Sequence, residues 1–287
     1  MAILIAMIQG LVMVPTYLQF IPVNIYSFWL ATGNILAWMS ATDPGLTVVL
    51  QQQIADAYGK KDLTKVKNVI GGGLLFSAIV FAVAIIFGLI AAEYLPDALN
   101  IISKPDNDLI LEAFTLAVLG TALMIFSFGL AAINAGLQGS IAVGVINNSI
   151  AIGSILVTYY LLHSGFGLMA LPLSLVFSGV FYSIFQGIYL FVRVYKERIG
   201  ITLSFSGMRD LGKLLSYTFL SRTLTTVANN IDLVVVAKIL GPGSVAILAL
   251  TRKSCDLSKE LVNQPTAAFQ PAVSHAVGTG DIKQLSE

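Results

Sequence analysis

Charged residues are scarce in this chain. Asp, Glu, Lys and Arg make up 11% of its 287 residues, against about 25% in a typical soluble domain. Hydrophobic residues reach 56%, and the mean hydropathy is +0.86. A chain with so little charge belongs in a lipid bilayer, and its composition predicts a polytopic membrane protein.

The chain also has a small net charge and few cysteines and histidines, and these scarcities exclude or disfavour several classes of function. The net charge of +1 supplies no basic stripe for nucleic acid. The single cysteine, Cys255, allows no intramolecular disulfide, and with only two histidines a metal site of His and Cys is disfavoured, so we expect no metal or other cofactor. The first apolar run lacks a basic segment before it, which argues against a cleavable signal peptide.

Long apolar runs are abundant. Charge clusters and Gly or Pro turns divide the chain into about eight runs, each near the roughly 20 residues that cross a bilayer. Predicted spans 1 to 6 cover about Ala2–Ile21, Tyr26–Asp56, Val66–Ala92, Leu109–Ala135, Ile141–Leu162 and Leu168–Val194. Spans 7 and 8 form a hairpin from Leu211 to Ser274 that turns at Gly241–Gly243. Asp43, Pro44 and Gly45 interrupt span 2.

The distribution of basic residues predicts the orientation. Lysines and arginines cluster after span 2 and again after span 6, at Lys60, Lys61, Lys65, Lys67, Arg193, Lys196, Arg198, Arg209 and Lys213. Cytoplasmic loops carry such an excess. The loop after span 3 is acidic, which suits the outer face. We therefore expect both termini on the cytoplasmic side of the membrane.

The sequence also contains an internal repeat. The segment 57–65 at the end of span 2 corresponds to 276–284 at the end of span 8, an offset of 219 residues. The same offset carries the turn at Pro22 to Gly241 and the break at Asp43 to Val262, near Pro265. Spans 7 and 8 thus look like a second copy of spans 1 and 2. An even number of spans separates equivalent points, so the copies run parallel, around an axis along the membrane normal.

The repeat predicts the domain organisation of an all-α membrane protein with about eight transmembrane helices. Residues 1–196 form a complete six-helix lobe and 197–210 a cytoplasmic linker. Residues 211–287 form the first two helices of an incomplete second lobe, entered through an amphipathic segment at Phe205–Leu215. We expect the rest of that lobe to be missing from this chain, and a missing C-terminal half to be one of its partners.

The hairpin of spans 7 and 8 carries charges where lipid is expected, at roughly 2.5 to 3.5 kcal/mol each on insertion scales. Helical spacing places polar residues on one face of each helix. These are Thr218, Arg222, Thr226 and Asn229 on span 7, and Arg252, Asp256, Lys259, Asn263, Gln270 and Ser274 on span 8. Because the turn is centred near Pro242, Asp232 lies level with Arg252, and we predict that they pair.

The charge balance of this hairpin is positive. Its ionisable residues are Arg222, Lys238, Arg252, Lys253 and Lys259 against Asp232, Asp256 and Glu260, a surplus of two cations. Such a surplus favours an anionic cargo. The alternative is an internally neutralised network of salt bridges that only locks two lobes together.

Two further sets of polar residues have open interpretations. Asp43 beside Pro44 is either a structural residue at a helix kink or a gating or proton-binding residue. Asn134, Gln138, Asn147 and Asn148, near the junction of spans 4 and 5, either line a cavity or hold helices together.

Several dispersed positions give the chain a family resemblance. They are Asp43, Pro44 and Gly45, the segment 57–62, then Asp232, Leu240, Gly241, Pro271, Gly280 and Asp281. With them the chain resembles the polysaccharide (O-antigen type) flippases of the multidrug and oligosaccharidyl-lipid exporter superfamily, which is MATE-like. Pro44 departs from the pattern, because the family usually has an aliphatic residue there.

The resemblance implies a fold and a function. The protein would have lobes that are six-helix bundles related by a parallel repeat. The lobes would face a central cavity in the bacterial inner membrane. An undecaprenyl-pyrophosphate-linked oligosaccharide would cross from the inner to the outer leaflet by alternating access, with proton or sodium coupling left open. Arg222, Arg252 and Lys259 would attract the pyrophosphate, and polar residues such as Asn229 and Asn263 would meet the sugars. Asp232, Asp256, Glu260 and Asp43 would compensate charge or couple ions.

Three alternatives remain at this stage. A drug or organic-cation exporter of the same superfamily commonly has a carboxylate on helix 1, but span 1 contains no acid. A membrane enzyme would need a reactive cluster in a sizeable aqueous loop, and no loop here is longer than about 20 residues, so we expect no enzymatic activity. An inactive fragment or assembly subunit would share the fold without transporting.

Overall fold

A computed structural model describes residues 12–39, 45–99 and 104–202, with scattered helical positions between 208 and 273. The elements are α1 (Met13–Phe20), α2 (Val23–Met39), α3 (Leu46–Gly59), α4 (Leu63–Leu99), α5 (Lys104–Gly136), α6 (Ser140–His163) and α7 (Ala170–Lys196). A short 3-10 turn, Gly167–Met169, precedes α7. The described parts of spans 1 to 6 are therefore helical in the predicted order, and α4 and α5 extend further than expected.

Within the described ranges, four segments are long and apolar enough to cross a membrane. They are Leu63–Asp97, Asn107–Gly136, Ser140–His163 and Gly167–Lys196, which correspond to spans 3 to 6. Parts of spans 1, 2, 7 and 8 lie outside the described residues. The membrane character of the chain is thus confirmed, whereas the orientation of its termini stays a prediction.

The interruption of span 2 is visible as a change of helix. The helix α2 ends at Met39, and α3 begins at Leu46 behind Gly45, whose φ of 87° is left-handed. Glycine accepts this conformation without the clash that a Cβ would cause. The break in span 2 is confirmed at Gly45, while Asp43 and Pro44 lie outside the described residues. The turn between spans 1 and 2 is confirmed too, because α1 ends before an extended Ile21 and Pro22.

Helix α5 lies at the centre of the bundle. It packs against α7, α4, α3 and α2, and its Phe114 and Ile133 are fully buried. One apolar cluster surrounds Phe114 with residues such as Leu95 and Leu168. The other surrounds Ile133 at the opposite end of α5. The bundle of α1 to α7, called the lobe below, is therefore held by two cores stacked along α5.

The second cluster also receives residues from beyond the lobe. Leu211 and Leu215 are buried beside Leu190, Val194 and Ile199. Arg209, two residues before Leu211, is exposed. The described part of the predicted amphipathic segment is thus helical and amphipathic, and its apolar side is anchored on the end of α7.

Four of the described helices end in the same C-terminal motif; α6 has Gly165 at its left-handed position, and three others have a residue other than glycine there. The residue after the C-cap is Lys61 beyond α3, Gln138 beyond α5 and Arg198 beyond α7, with φ of 57°, 66° and 53°. In each case the next N–H donates to a carbonyl in the last turn, as Ile199 does to Val194. This is the Schellman motif, whose left-handed position usually holds glycine. The three motifs without glycine lie beside the two lysine- and arginine-rich loops or at the matching end of α5.

Candidate functional site: a paired charge on the hairpin and a polar core in the lobe

Asp232 and Arg252 form an ion pair across the predicted hairpin. Nη1 of Arg252 lies 3.0 Å from Oδ1 and 2.8 Å from Oδ2 of Asp232. The side chain of Arg252 is 26% exposed and that of Asp232 is 48% exposed. Twenty residues separate the two positions in sequence, so the contact fixes the register of spans 7 and 8. The predicted pairing is confirmed.

The remaining predicted site residues cannot be placed around this pair. Arg222, Lys259, Asn229, Asn263, Asp256, Glu260 and Asp43 lie outside the described residues. Their binding or compensating roles stay predictions. Arg252 and Asp232 are thus the part of the proposed charged face whose geometry is established.

A polar network crosses the interior of the lobe. The amide nitrogen of Asn134 donates to the backbone oxygen of Gln186 at 3.0 Å and to its side-chain oxygen at 2.8 Å. The amide nitrogen of Gln186 donates to Oδ1 of Asn147 at 3.1 Å, and the Tyr182 hydroxyl donates to the Asn147 carbonyl. Asn134 and Gln186 are fully buried. The network therefore joins α5, α6 and α7.

These contacts decide between the two interpretations of the polar residues near spans 4 and 5. Asn134 and Asn147 hold helices together, as hydrogen-bonded amides commonly do in membranes. Gln138 is exposed in the turn after α5, and Asn148 is partly buried. Asn134 therefore does not line a cavity, because it is buried and bonded to Gln186.

Gln186 was not among the residues predicted from the sequence, although a signal for it exists. Ser174, Ser178, Tyr182 and Gln186 recur every four residues along α7 and turn towards the interior of the lobe. Spacing of four places side chains on one helix face. A polar stripe on an otherwise apolar helix would have indicated the partner of Asn134.

We predict that Gln186→Leu destabilises the lobe by about 1–2 kcal/mol, because Asn147 Oδ1 loses its donor and interhelical hydrogen bonds in membranes reach about that value. The measurement is the midpoint of thermal unfolding in detergent. Gln19→Leu is the matched control, since Gln19 is exposed on α1. Equal midpoints for both variants would contradict a stabilising network.

Arg193 fastens the end of α7 to the end of α5. Its Nη2 donates to the Leu137 carbonyl at 2.7 Å, and its Nη1 donates to the Tyr189 hydroxyl at 3.2 Å. Its Nε forms an ion pair with Glu197. In the sequence, Arg193 was evidence only for the orientation of the chain. The structure gives it a second role, because it satisfies a carbonyl that the last turn of α5 leaves without a helical partner.

The fold matches solved transporter structures of the MATE type. A crystal structure of MATE in complex with MaD3S has a TM-score of 0.73 and 18% identity, covering 98% of this chain and 65% of that chain. An outward-facing multidrug resistance MATE family transporter of the MOP superfamily has a TM-score of 0.69 and 20% identity, with the same coverages. An inward-facing structure has a TM-score of 0.62 and 16% identity, covering 88% and 56%. The chain thus spans 56% to 65% of the length of these three structures.

Comparison at the level of sequence points to polysaccharide synthesis. No curated protein matches this chain significantly. The family model described as "Polysaccharide biosynthesis protein" matches residues 79–281, well over half of the chain. Together with its all-helical MATE-like fold and its membrane-spanning helices, this match shows that the chain belongs to the polysaccharide biosynthesis protein family.

Proposed function

We propose that this chain is a transporter, not an enzyme, and that it moves an anionic lipid-linked oligosaccharide from the inner to the outer leaflet by alternating access. Undecaprenyl pyrophosphate is the lipid carrier of the proposal. The observation that carries it is Arg252, paired with Asp232 on a hairpin that bears a surplus of two cations. Membership of a polysaccharide biosynthesis family and the MATE-like fold support it.

Charge explains why this cargo fits better than a cationic drug. A pyrophosphate diester is anionic, so cations on the cavity wall attract it through a medium of low dielectric constant. Asp232 neutralises part of Arg252, while Arg222 and Lys259 share the predicted polar faces. Asp256 and Glu260 compensate them and are candidates for ion coupling. Asn229 and Asn263 would contact the sugars.

The test is a deletion strain, in which glycan-linked lipid should accumulate in the inner leaflet. We expect wild-type protein to restore export and Lys259→Gln to reduce it by about tenfold, as loss of one ionic contact of 1.4 kcal/mol predicts. Lys253→Gln is the matched control. It removes the same charge on the same helix, but at a position outside the polar face of span 8.

Two results would reject this function. Normal surface glycan in the deletion strain would mean that this chain does not export the glycan. Equal loss of export in Lys259→Gln and Lys253→Gln means that total charge matters and not the proposed face. Resistance to organic cations that depends on this chain, with glycan export unaffected, would establish the drug-exporter alternative.

A further inference from the structure

A groove of about 440 Å³ lies where α7 ends. Its lining side chains are Phe191, Val194, Tyr195, Arg198, Ile199 and Ile201. Five of these six carry apolar or aromatic groups, and Arg198 is the cation among them. A largely apolar groove with one cation in its lining has the chemistry of an amphiphile's binding site.

The walls of the groove open outward from the helix bundle. Phe191 is 68% exposed and Tyr195 is 78% exposed, and they lie four residues apart on one face of α7. The segment Gly167–Lys196 is long and apolar enough to cross a membrane. Aromatic rings at the end of such a helix lie at the level of lipid headgroups and upper acyl chains. The exposed rings of the groove are therefore suited to contact with lipid at that level.

Arg198 occupies a backbone position that favours glycine. Its φ is 53°, and its N–H donates to the Tyr195 carbonyl within the Schellman motif. A residue other than glycine is uncommon in this left-handed region, so its side chain is a candidate for a function. Here that side chain lies exposed at the groove.

The surroundings of Arg198 are basic. Gly200 also lines the groove. A Cβ built on Gly200 would lie 3.3 Å from Nζ of Lys67, so this ammonium group lies directly beside the groove. The nearby carboxylate, Glu197, is engaged by Arg193. The groove thus has Arg198 and Lys67 as neighbouring cations, and together they favour a phosphate. Lys196 is exposed two residues before Arg198 but does not line the groove.

We propose that this groove binds an anionic phospholipid of the bilayer, with an acyl chain along Phe191 and Tyr195 and the phosphate at Arg198 and Lys67. Basic pockets at the cytoplasmic ends of transmembrane helices commonly bind anionic headgroups. The bound lipid would be a constituent of the bilayer and not the transported cargo. This site is independent of the transport function proposed above.

The test uses the full chain purified in mild detergent with added phosphatidylglycerol, and native mass spectrometry counts the lipids that remain bound. We expect Arg198→Gln to lower retention of phosphatidylglycerol by about fivefold, the factor that one basic residue near a membrane surface supplies. Lys196→Gln is the matched control, because it removes the same charge two residues away without touching the groove.

A second variant guards against misfolding. Arg198→Gly relaxes the left-handed backbone, so the protein should fold at least as well as wild type while losing the lipid. Equal retention in wild type and Arg198→Gly overturns the proposal, and so does an equal loss in Lys196→Gln. Equal retention of phosphatidylcholine and phosphatidylglycerol by wild type overturns it as well, since the groove would then be filled without regard to charge.

Discussion

Replacing Gly120 by valine is expected to prevent the lobe from folding. A Cβ at Gly120 would lie 2.7 Å from the backbone carbon of Leu175 and from the backbone nitrogen of Val176. A Cβ at Gly179 would lie 2.7 Å from the Gly120 carbonyl. Here the backbones of α5 and α7 touch, and no flexible side chain is present to move aside. Small residues at such crossings allow the close packing that holds membrane helices together.

The expected cost is large because two helices must separate. Overpacking commonly costs about 1–3 kcal/mol when side chains can adjust, and at this contact we expect at least the upper value. The measurement is the yield of monodisperse protein by size-exclusion chromatography, with its thermal unfolding midpoint. Gly187→Val on α7 is the control, because a Cβ there meets nothing within 4 Å. A Gly120→Val protein that is as stable as Gly187→Val would contradict the close contact.

Much of this fold follows from the sequence because a membrane imposes simple rules. A helix is the way for a single segment to satisfy its backbone in lipid, so long apolar runs predict helices. Pro22 and Gly45 mark the two places where the sequence predicts a break between helices, and the structure has helix boundaries at both. The repeat and the dispersed family residues were enough to indicate the MATE-like fold that the structural matches show.

Internal packing is harder to infer, as Gln186 illustrates. Its polar stripe on α7 is readable, but that stripe meets Asn134, 52 residues away, and only the three-dimensional arrangement shows this. The Schellman ends at Lys61 and Arg198 are hidden for another reason. The left-handed position of a Schellman motif is usually recognised in a sequence by its glycine. At Lys61 and Arg198 tertiary context has overridden that local preference, so the sequence carries no such mark.

The hairpin shows the opposite case, in which the sequence alone located a side-chain contact. In an antiparallel helix pair, residues at equal distances in sequence from the turn lie at the same depth in the membrane. The turn near Pro242 therefore placed Asp232 level with Arg252, and they are paired at 2.8 Å. The depth of Asp232 and Arg252 in the membrane does not show which other groups contact them. The function of the pair therefore needs an experiment that separates stability from transport.

Exchanging the charges, with Asp232→Arg and Arg252→Asp together, makes that separation. Either single neutralisation, Asp232→Asn or Arg252→Gln, should destabilise the hairpin by about 1–3 kcal/mol, between the values for exposed and buried pairs, because both side chains are partly exposed. The exchanged pair should recover most of that stability. Thermal unfolding of wild type, the two single neutralisations and their combination, Asp232→Asn with Arg252→Gln, forms a double-mutant cycle that measures the coupling, and the exchanged pair is measured beside them.

Transport by the exchanged pair distinguishes a binding cation from a lock. If Arg252 binds the anionic cargo, moving the cation from span 8 to span 7 takes it off the polar face shared with Lys259. We then expect restored stability and export still reduced by about tenfold or more, the loss of one well-placed ionic contact. Recovery of both stability and export would show that the pair only locks the hairpin. The cations that attract cargo would then have to lie elsewhere on the two helices.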